Sequence, residues 1–257
     1  MVNVVGILTA VAALASVAGA APVEANTNKS TCASGVYLIV ARGTGEAVGE
    51  GKPGQVADLV AKRVPGSASV AVDYPATAIK RRSSSSSSVS SVFSRALYPF
   101  SVARGINDTK KKIQDYVAQC GNSSKIALVG FSQGGNVMTD LLAGGVLKPA
   151  PLDPRYYKNT LLIPEAIVIA VTVFGDPTFA PNQAYDYGTN ANGSGGIFSR
   201  ENNAGELAKL NVLADKIASY CDTDDLVCAS GASSEVHSNE VAAHAQEAAD
   251  FIVARAR

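Results

Sequence analysis

The chain has no surplus of charge of either sign. Its 257 residues include 22 Lys and Arg and 22 Asp and Glu, which gives a formal net charge of zero. It also has no long basic run, and Lys110-Lys111-Lys112 fits the solvated face of a helix. Binding to nucleic acid or to an anionic membrane surface depends on clustered positive charge. Neither kind of partner is therefore predicted.

Histidine is scarce as well. Only His237 and His244 occur, and the chain contains no H-E-x-x-H motif. If the four cysteines are oxidised, they are not available as ligands either, so the ligand spacing is poor for a metal. No metal or organic cofactor is predicted. Any role that requires a histidine side chain falls to one of these two residues.

The N-terminus is uncharged and apolar over a short stretch. The run over 4–17 ends in Ala18-Gly19-Ala20, the small-residue pattern that precedes a signal cleavage site. The run is short for a membrane span, and polar residues follow it at once. We predict a signal peptide over 1–20, an N-terminal extension over 21–31, and a secreted protein without stable membrane anchoring.

Four cysteines in an exported chain predict two disulfides. Cys221 and Cys228 lie close together in sequence and are expected to pair, which leaves Cys32 to pair with Cys120. Four N-x-S/T sequons are compatible with a glycosylated surface, and they begin at Asn28, Asn107, Asn122 and Asn192.

Residues 32–257 are predicted to form a single α/β domain. Apolar, β-branched runs that predict buried strands alternate with segments of helical periodicity. The strands are expected over 36–40, 70–72, 126–129, 166–174 and 213–220, and the helices over 55–64, 101–118, 136–142 and 241–254. This alternation favours a central, mainly parallel sheet flanked by helices. Two loops are predicted, a mobile serine-rich one over 80–91 and a long one over 181–203.

The segment Gly130-Phe131-Ser132-Gln133-Gly134 fits the motif G-x-S-x-G between a predicted strand and a predicted helix. In that context the motif is a nucleophile elbow, in which a strained turn lifts a serine hydroxyl above the end of a sheet. A side chain at Gly130 or Gly134 would collide where the chain doubles back. The helix N-terminus beside Ser132 also offers N–H groups to developing negative charge. We predict that Ser132 is a nucleophile.

A serine nucleophile needs a base within hydrogen-bond reach. His237 precedes the closing helix, in a predicted loop from which its ring is able to project. His244 lies inside that helix, beside its apolar face, where a packed or surface role is expected. His237 is therefore the favoured base.

The base in turn needs an orienting acid, and the residues leave two choices open. Asp176 closes the strand over 166–174, which is a natural place for an acid. The other choice is a cluster inside the loop between the last two cysteines, namely Asp222, Asp224 and Asp225. The loop is favoured because a disulfide can hold a carboxylate in fixed relation to His237. Both choices give the order Ser, Asp, His, as in the α/β-hydrolases.

Three segments of the chain together resemble the cutinase and acetylxylan esterase family of secreted fungal serine esterases. They are Ala41-Arg42-Gly43-Thr44-Gly45-Glu46, the elbow, and Tyr220-Cys221-Asp222-Thr223-Asp224-Asp225-Leu226-Val227-Cys228 with His237 beyond it. The last segment is specific, because its carboxylate stands four residues after the first cysteine and three before the second. The resemblance extends from about Cys32 to Phe251.

The resemblance implies a role for each site residue. The nucleophile, the acid and the base would be, in that order, Ser132, Asp225 and His237. The oxyanion hole would be formed at Thr44 and by the backbone N–H of Gln133. The disulfides would join Cys32 to Cys120 and Cys221 to Cys228. Asp176 would then be structural, and no cofactor would be needed.

The fold implied by the resemblance is an α/β-hydrolase-type sandwich without a lid. The function implied is that of a secreted carboxylesterase, which is expected to be a monomer. Its substrates would be esters of plant cell-wall or cuticle polymers. Asp73-Tyr74-Pro75-Ala76 and Phe174-Gly175-Asp176-Pro177-Thr178 resemble the acetylxylan esterases, whereas the four cysteines resemble the cutinases, so the branch stays open. The alternatives are a catalytically silent wall-binding or effector protein on this scaffold, or a lipase of short- to medium-chain esters.

Overall fold

A parallel sheet runs through the centre of the domain. The computed structural model describes Met1 and residues 32–78, 88–145, 149, 151–156 and 167–257, with the backbone alone for 88–96 and 154. The strands within these ranges are β1 (Tyr37–Ala41), β2 (Ala68–Ala71), β3 (Ile126–Phe131), β4 (Val168–Phe174), β5 (Asp186–Tyr187) and β6 (Ile217–Tyr220). They lie in the order β2-β1-β3-β4-β6-β5. All the neighbouring pairs among them are parallel, which confirms the predicted sheet.

Helices cover both faces of this sheet. In the described residues they are α1 (Gly54–Arg63), α2 (Ser88–Cys120), α3 (Gln133–Ala143), α4 (Ala204–Asn211) and α5 (Ser234–Arg255). Side chains of α2, α3 and α4 pack into the core on one face. Those of α1 and α5 pack on the other. No helix in the described ranges is long and apolar enough to cross a membrane.

The strands divide their side chains between the two faces residue by residue. In β1, Ile39 and Ala41 join the core beneath α2 and α3. Leu38 and Val40 join the core beneath α1 and α5. Successive side chains of a strand point to opposite faces, so a continuous apolar run is stable only where both faces are covered. This arrangement places β3, whose residues are all buried, in the middle of the domain.

The structure departs from the predicted elements away from the central strands. The prediction of a strand over 213–220 is wrong in its first part, where a 3₁₀ turn, Ala214–Lys216, precedes β6. The loop predicted over 181–203 contains β5, whose position is set by pairing with β6. The helix α4 follows, where none is predicted. These elements are short, so their periodicity is weak and distant contacts decide them.

Several predictions fall outside the described residues. These are the signal peptide and the extension beyond Met1, the sequon at Asn28, and the serine-rich loop as far as residue 87. The last residues of that loop, 88–91, belong to α2. This helix begins at Ser88 rather than at 101 and continues through Pro99.

The two disulfides join the predicted cysteines. Cys32 is bonded to Cys120 at the end of α2, with 5.5 Å between their Cα atoms. Cys221 is bonded to Cys228, with 5.9 Å between Cα atoms and a sequence separation of 7. Both Cα distances lie in the usual range for disulfides. The first bond ties the start of the domain to α2, and the second closes a short loop directly after β6.

Candidate active site

Ser132 lies at a sharp turn between β3 and α3. Its dihedrals are φ 53° and ψ −117°, a strained combination for a residue with a side chain. The Ser132 N–H donates to the carbonyl oxygen of Phe174 at 2.8 Å, which ties the turn to β4. A Cβ added at Gly130 would overlap the backbone of Gly134, and one added at Gly134 would overlap that of Ala41. The turn thus has the geometry predicted for a nucleophile elbow.

His237 reaches Ser132 from the opening turns of α5. Its Nε2 lies 2.9 Å from Oγ of Ser132. The expectation that His237 sits in a loop before the helix is wrong, because α5 begins at Ser234 rather than at 241. Ser233 caps this earlier start, since its hydroxyl oxygen accepts a hydrogen bond from Val236 N at 3.1 Å. A helix fixes the direction of the ring more firmly than a loop does.

Asp225 holds the other ring nitrogen of His237. Its Oδ2 lies 2.8 Å from Nδ1. Its Oδ1 accepts the N–H groups of Val227 at 2.6 Å and of Cys228 at 2.8 Å, inside the disulfide-closed loop. Asp225 is fully buried. Burial by itself raises the pKa of this carboxyl, but the hydrogen bonds and charge of His237 and the two N–H groups outweigh it and lower the pKa.

Thr44 and Gln133 meet beside the serine. The N–H of Gln133 is at the start of α3, where the first N–H groups have no partner within the helix. Its side chain is buried, and Nε2 donates to Oγ1 of Thr44 at 3.2 Å and to the carbonyl oxygen of Thr77 at 3.0 Å. Because Thr44 Oγ1 accepts this bond, its own proton is available to a group in front of Ser132.

A cleft of about 460 Å³ lies in front of the serine and the histidine. Its apolar lining includes Tyr98, Ile197, Phe198, Leu226 and Val227. Its polar lining includes Thr44, Glu46, Lys52 and Ser238. Lys52 is held in place, because its Nζ donates to Oγ of Ser238 at 2.6 Å and lies 5.2 Å from the ring centre of Phe131. The cleft thus offers apolar and hydroxyl-binding surfaces beside Ser132.

Asp176, the competing acid, is engaged elsewhere. Its Oδ2 accepts from Oγ1 of Thr139 at 2.7 Å, and its Oδ1 accepts from the N–H of Thr178 at 2.8 Å. The guanidinium of Arg200 lies 3.6 Å away and also pairs with Asp140. Asp176 therefore stabilises the segment after β4, and Asp225 is the carboxylate that contacts His237.

His244 and the two other aspartates of the loop lie outside the line from Ser132 to Asp225. Nε2 of His244 is 2.9 Å from Oδ2 of Asp222, and its ring stacks on Tyr220 with 5.0 Å between centroids. Oδ1 of Asp224 accepts the N–H of Ala232 at 2.8 Å. These contacts stabilise the disulfide-closed loop, and none of them involves Ser132. The packed role expected for His244 agrees with its position.

Sequence reasoning missed two features of the site. The side chain of Gln133 was not predicted to fix Thr44, although its place directly after the serine was a possible signal. The rings of Tyr98 and Phe198, whose centroids are 5.5 Å apart, form part of the cleft. They come from α2 and from the long loop before α4, and no local pattern links them.

Known proteins resemble this chain over nearly its whole length. It is 33% identical to acetylxylan esterase 2 of Talaromyces purpureogenus over 91% of this chain and 92% of that protein. It is 29% identical to cutinase 11 of Verticillium dahliae over 94% of this chain and 74% of that protein. A solved structure of an acetyl xylan esterase superposes with a TM-score of 0.67 at 31% identity, covering 88% of this chain and 100% of that one.

The parallel sheet and the elbow serine at the carboxyl end of β3 define an α/β-hydrolase. The family model described as Cutinase matches residues 32–256. The chain therefore belongs to the cutinase family, and it is a carboxylic ester hydrolase like the esterases it resembles.

Proposed function

We propose that the protein is a secreted serine carboxylesterase that cleaves esters of plant cell-wall or cuticle polymers through a Ser-His-Asp acyl-enzyme mechanism. The observation that carries the proposal is the unbroken line of hydrogen bonds from Oγ of Ser132 through the ring of His237 to Oδ2 of Asp225. The two disulfides and the apolar N-terminal run support export.

In the first half of the reaction, Ser132 attacks the ester carbonyl. Nε2 of His237 accepts the hydroxyl proton as the bond to carbon forms, and the Asp225 carboxylate stabilises the resulting imidazolium through Nδ1. The imidazolium then gives this proton to the departing alcohol oxygen. In the second half, His237 takes a proton from water, whose oxygen attacks the acyl-enzyme, and returns it to Ser132 as the acid leaves.

The tetrahedral intermediates place a negative charge on the former carbonyl oxygen. We assign its stabilisation to the backbone N–H of Gln133 and to Thr44. The position of the first at a helix N-terminus and the hydrogen bond that orients the second support this assignment. Each such donor contributes about a hundred- to a thousand-fold to the rate.

A fluorophosphonate probe tests whether the serine is activated. We expect folded protein to be labelled at Ser132, because the probe reacts with a serine whose proton is drawn away by a base. Peptide mapping by mass spectrometry identifies the labelled residue. The matched control is His237→Ala, which keeps Ser132 but removes the base and should be labelled far more slowly. A folded wild-type protein that resists the probe would support the catalytically silent alternative instead.

Among ester substrates we propose short acyl groups on a hydroxyl-rich polymer, with acetylated xylan favoured over cutin. Acetylxylan esterase 2 is more similar to this chain than cutinase 11 is, at 33% against 29% identity. The polar residues Glu46, Lys52 and Ser238 in the cleft suit a sugar hydroxyl group. The cleft of about 460 Å³ is in the lower half of the range for small-molecule sites, and it must hold both the acyl group and part of the alcohol.

A series of p-nitrophenyl esters tests the acyl preference. We expect kcat/KM to be at least about tenfold higher for the acetyl than for the palmitoyl ester, with the butyryl ester between them, because a cleft of this volume cannot bury a long chain and crowding against its walls displaces the carbonyl from Ser132. The leaving group is the same throughout, so differences across the series come from the acyl group. A preference for palmitoyl would favour the cutin alternative.

A further inference from the structure

A buried carboxyl group lies behind the acid of the proposed triad. Glu240 sits on α5 one turn after His237 and is fully buried. Its Oε1 accepts the N–H of Asp222 at 2.7 Å and lies 3.6 Å from Sγ of Cys228. Its Oε2 has no hydrogen-bond donor among the described residues. One face of α5 thus presents both His237 and Glu240 to the disulfide-closed loop.

The carboxyl group of Glu240 also interacts with the Asp225 carboxyl, and a hydrogen bond between the two is one of the causes that raise the pKa of Glu240. Two ionised carboxylates cannot bond to each other, so a contact of this kind requires a proton between them. Asp225 already accepts hydrogen bonds from His237, Val227 and Cys228, which favour its charged form. The proton therefore resides on Glu240. Burial is the largest cause of the raised pKa of Glu240; the N–H of Asp222 lowers this pKa, but the charges of Asp225 and Asp222 add to the rise, and the pKa reaches about 9.

We propose that Glu240 is a positioning residue, a neutral carboxylic acid that donates a hydrogen bond from Oε2 to the Asp225 carboxylate and so holds that carboxylate against Nδ1 of His237. Its Oε1 at the same time anchors the loop through the N–H of Asp222. The inference rests on the proposed function, because it assigns Asp225 its role in the reaction.

His244, one turn further along α5, is another ionisable group beside Glu240. Nε2 of His244 is 4.0 Å from Oε2 of Glu240, and Nδ1 of His244 is 3.8 Å from Glu247. Glu240, Asp222 and His244 are also close enough for their ligand atoms to be considered for a cation. However, Oδ2 of Asp222 and Nε2 of His244 are 2.9 Å apart, a hydrogen-bond distance. Two ligands of a tetrahedral zinc ion stand roughly 3.3 Å apart, so a shared proton fits this geometry better.

Two substitutions separate a hydrogen-bonding role from simple filling of space. In Glu240→Gln the N–H of Asp222 fixes the amide oxygen at the Oε1 position, so the amide nitrogen can donate to Asp225. We expect this variant to keep about half or more of the wild-type kcat at pH 7. Glu240→Ala cannot donate, and we expect kcat to fall by about 10- to 100-fold with KM within about twofold, because the misplaced Asp225 affects the transition state more than binding.

The pH profile gives a readout that a packing role would not change. When Glu240 ionises, the hydrogen bond to Asp225 is lost and the two carboxylates repel each other. Spontaneous hydrolysis is first subtracted from each rate. The ratio of wild-type kcat/KM to that of Glu240→Gln should then be about tenfold lower at pH 10 than at pH 8, because the glutamine has no proton to lose. Glu247→Gln, the same chemical change on the same helix, is the matched control and should follow the wild type.

Thermal unfolding tests the protonation state without reference to activity. The pKa of Glu240 is higher in the folded than in the unfolded protein, so the folded state binds more protons between the two values. Stability from this group is fully present below the unfolded pKa of about 4.3 and is lost as pH rises towards about 9. The Tm of Glu240→Gln minus that of wild type should therefore grow from pH 5 to pH 9 and stay constant below pH 4.

Each outcome supports or overturns the proposal. A Tm difference that does not change with pH would show that Glu240 is ionised, and equal losses of kcat in the Gln and Ala variants would show that donation is not what matters. A rise in wild-type Tm with Zn²⁺ that is absent in Glu240→Gln would assign the cluster to a metal. If Glu240→Ala does not fold, the pH profile and the Tm values of Glu240→Gln still decide whether Glu240 is a neutral donor. A wild type that resists the fluorophosphonate probe would refute the proposed function, while the Tm measurement would still decide the proton.

Discussion

Replacing Ser132 by alanine is expected to lower kcat for p-nitrophenyl acetate by about 10⁶-fold, the loss that follows removal of a triad nucleophile. Without Oγ no acyl-enzyme can form, and the line of hydrogen bonds ends at Nε2 of His237. The small remaining rate would come from water that reacts beside the intact oxyanion donors. Steady-state rates measured at high protein concentration, with the spontaneous rate subtracted, give the residual activity.

The variant should be folded, because alanine fits the elbow backbone as well as serine does. Its Tm is expected to lie close to that of the wild type. Ser123→Ala, at an exposed serine in the turn before β3, is the matched control and should keep full activity. More than a few per cent of wild-type activity in folded Ser132→Ala, free of wild-type contamination, would refute the assignment of Ser132 as the nucleophile.

Replacing Asp225 by asparagine is expected to lower kcat by about 10⁴-fold, while the fold is kept. The N–H groups of Val227 and Cys228 point at the Oδ1 position and require an acceptor there. The asparagine oxygen must therefore occupy that position, which leaves the NH₂ group to face His237 at the Oδ2 position. An NH₂ donor forces Nδ1 to accept, so the ring proton moves to Nε2. The base then presents a donor to the serine and cannot accept its proton.

The neighbouring residue provides the control for this substitution. Asp224 has a positive φ of 70°, which asparagine tolerates, and its Oδ1 bonds only locally to the N–H of Ala232. Asp224→Asn should keep at least about half of the activity. If instead Asp176→Asn reduced kcat by 10³-fold or more without a loss of stability, and Asp225→Asn did not, the acid would have been assigned wrongly. Rates on the acetyl ester together with Tm values make this comparison.

The parts of the site that sequence could predict are local in the chain. The elbow depends on Ile126–Phe131, Ser132 and two glycines within a few residues, so the strand, the turn and the proposed nucleophile are contained in one stretch of sequence. The close pair Cys221 and Cys228 is similar, since a short separation favours their bond. Central strands buried on both faces were predictable as well, because their apolar runs are continuous.

The parts that sequence could not settle depend on contacts between distant segments. Asp176 and Asp225 both follow the expected order, and only the hydrogen bonds of Asp176 to Thr139 and Thr178 show that it is engaged elsewhere. The start of α5 was misjudged because residues 234–240 are mostly polar and lack an apolar stripe. Glu240 lies in this unpredicted part of α5. Its burial follows from the packing of the helix against the disulfide-closed loop.

The sequence by itself determined the fold class, the elbow turn that carries Ser132, and the close cysteine pair that leaves the other two cysteines to each other. These follow from periodicity and from residues that are near one another in the chain, whereas the triad was a proposal that rested on the family resemblance. Only the tertiary structure decided which carboxylate contacts His237, how Gln133 orients Thr44, and that Glu240 is buried against the disulfide-closed loop. Those facts depend on distances of a few ångströms between segments far apart in sequence, and such distances are fixed by packing rather than by local pattern.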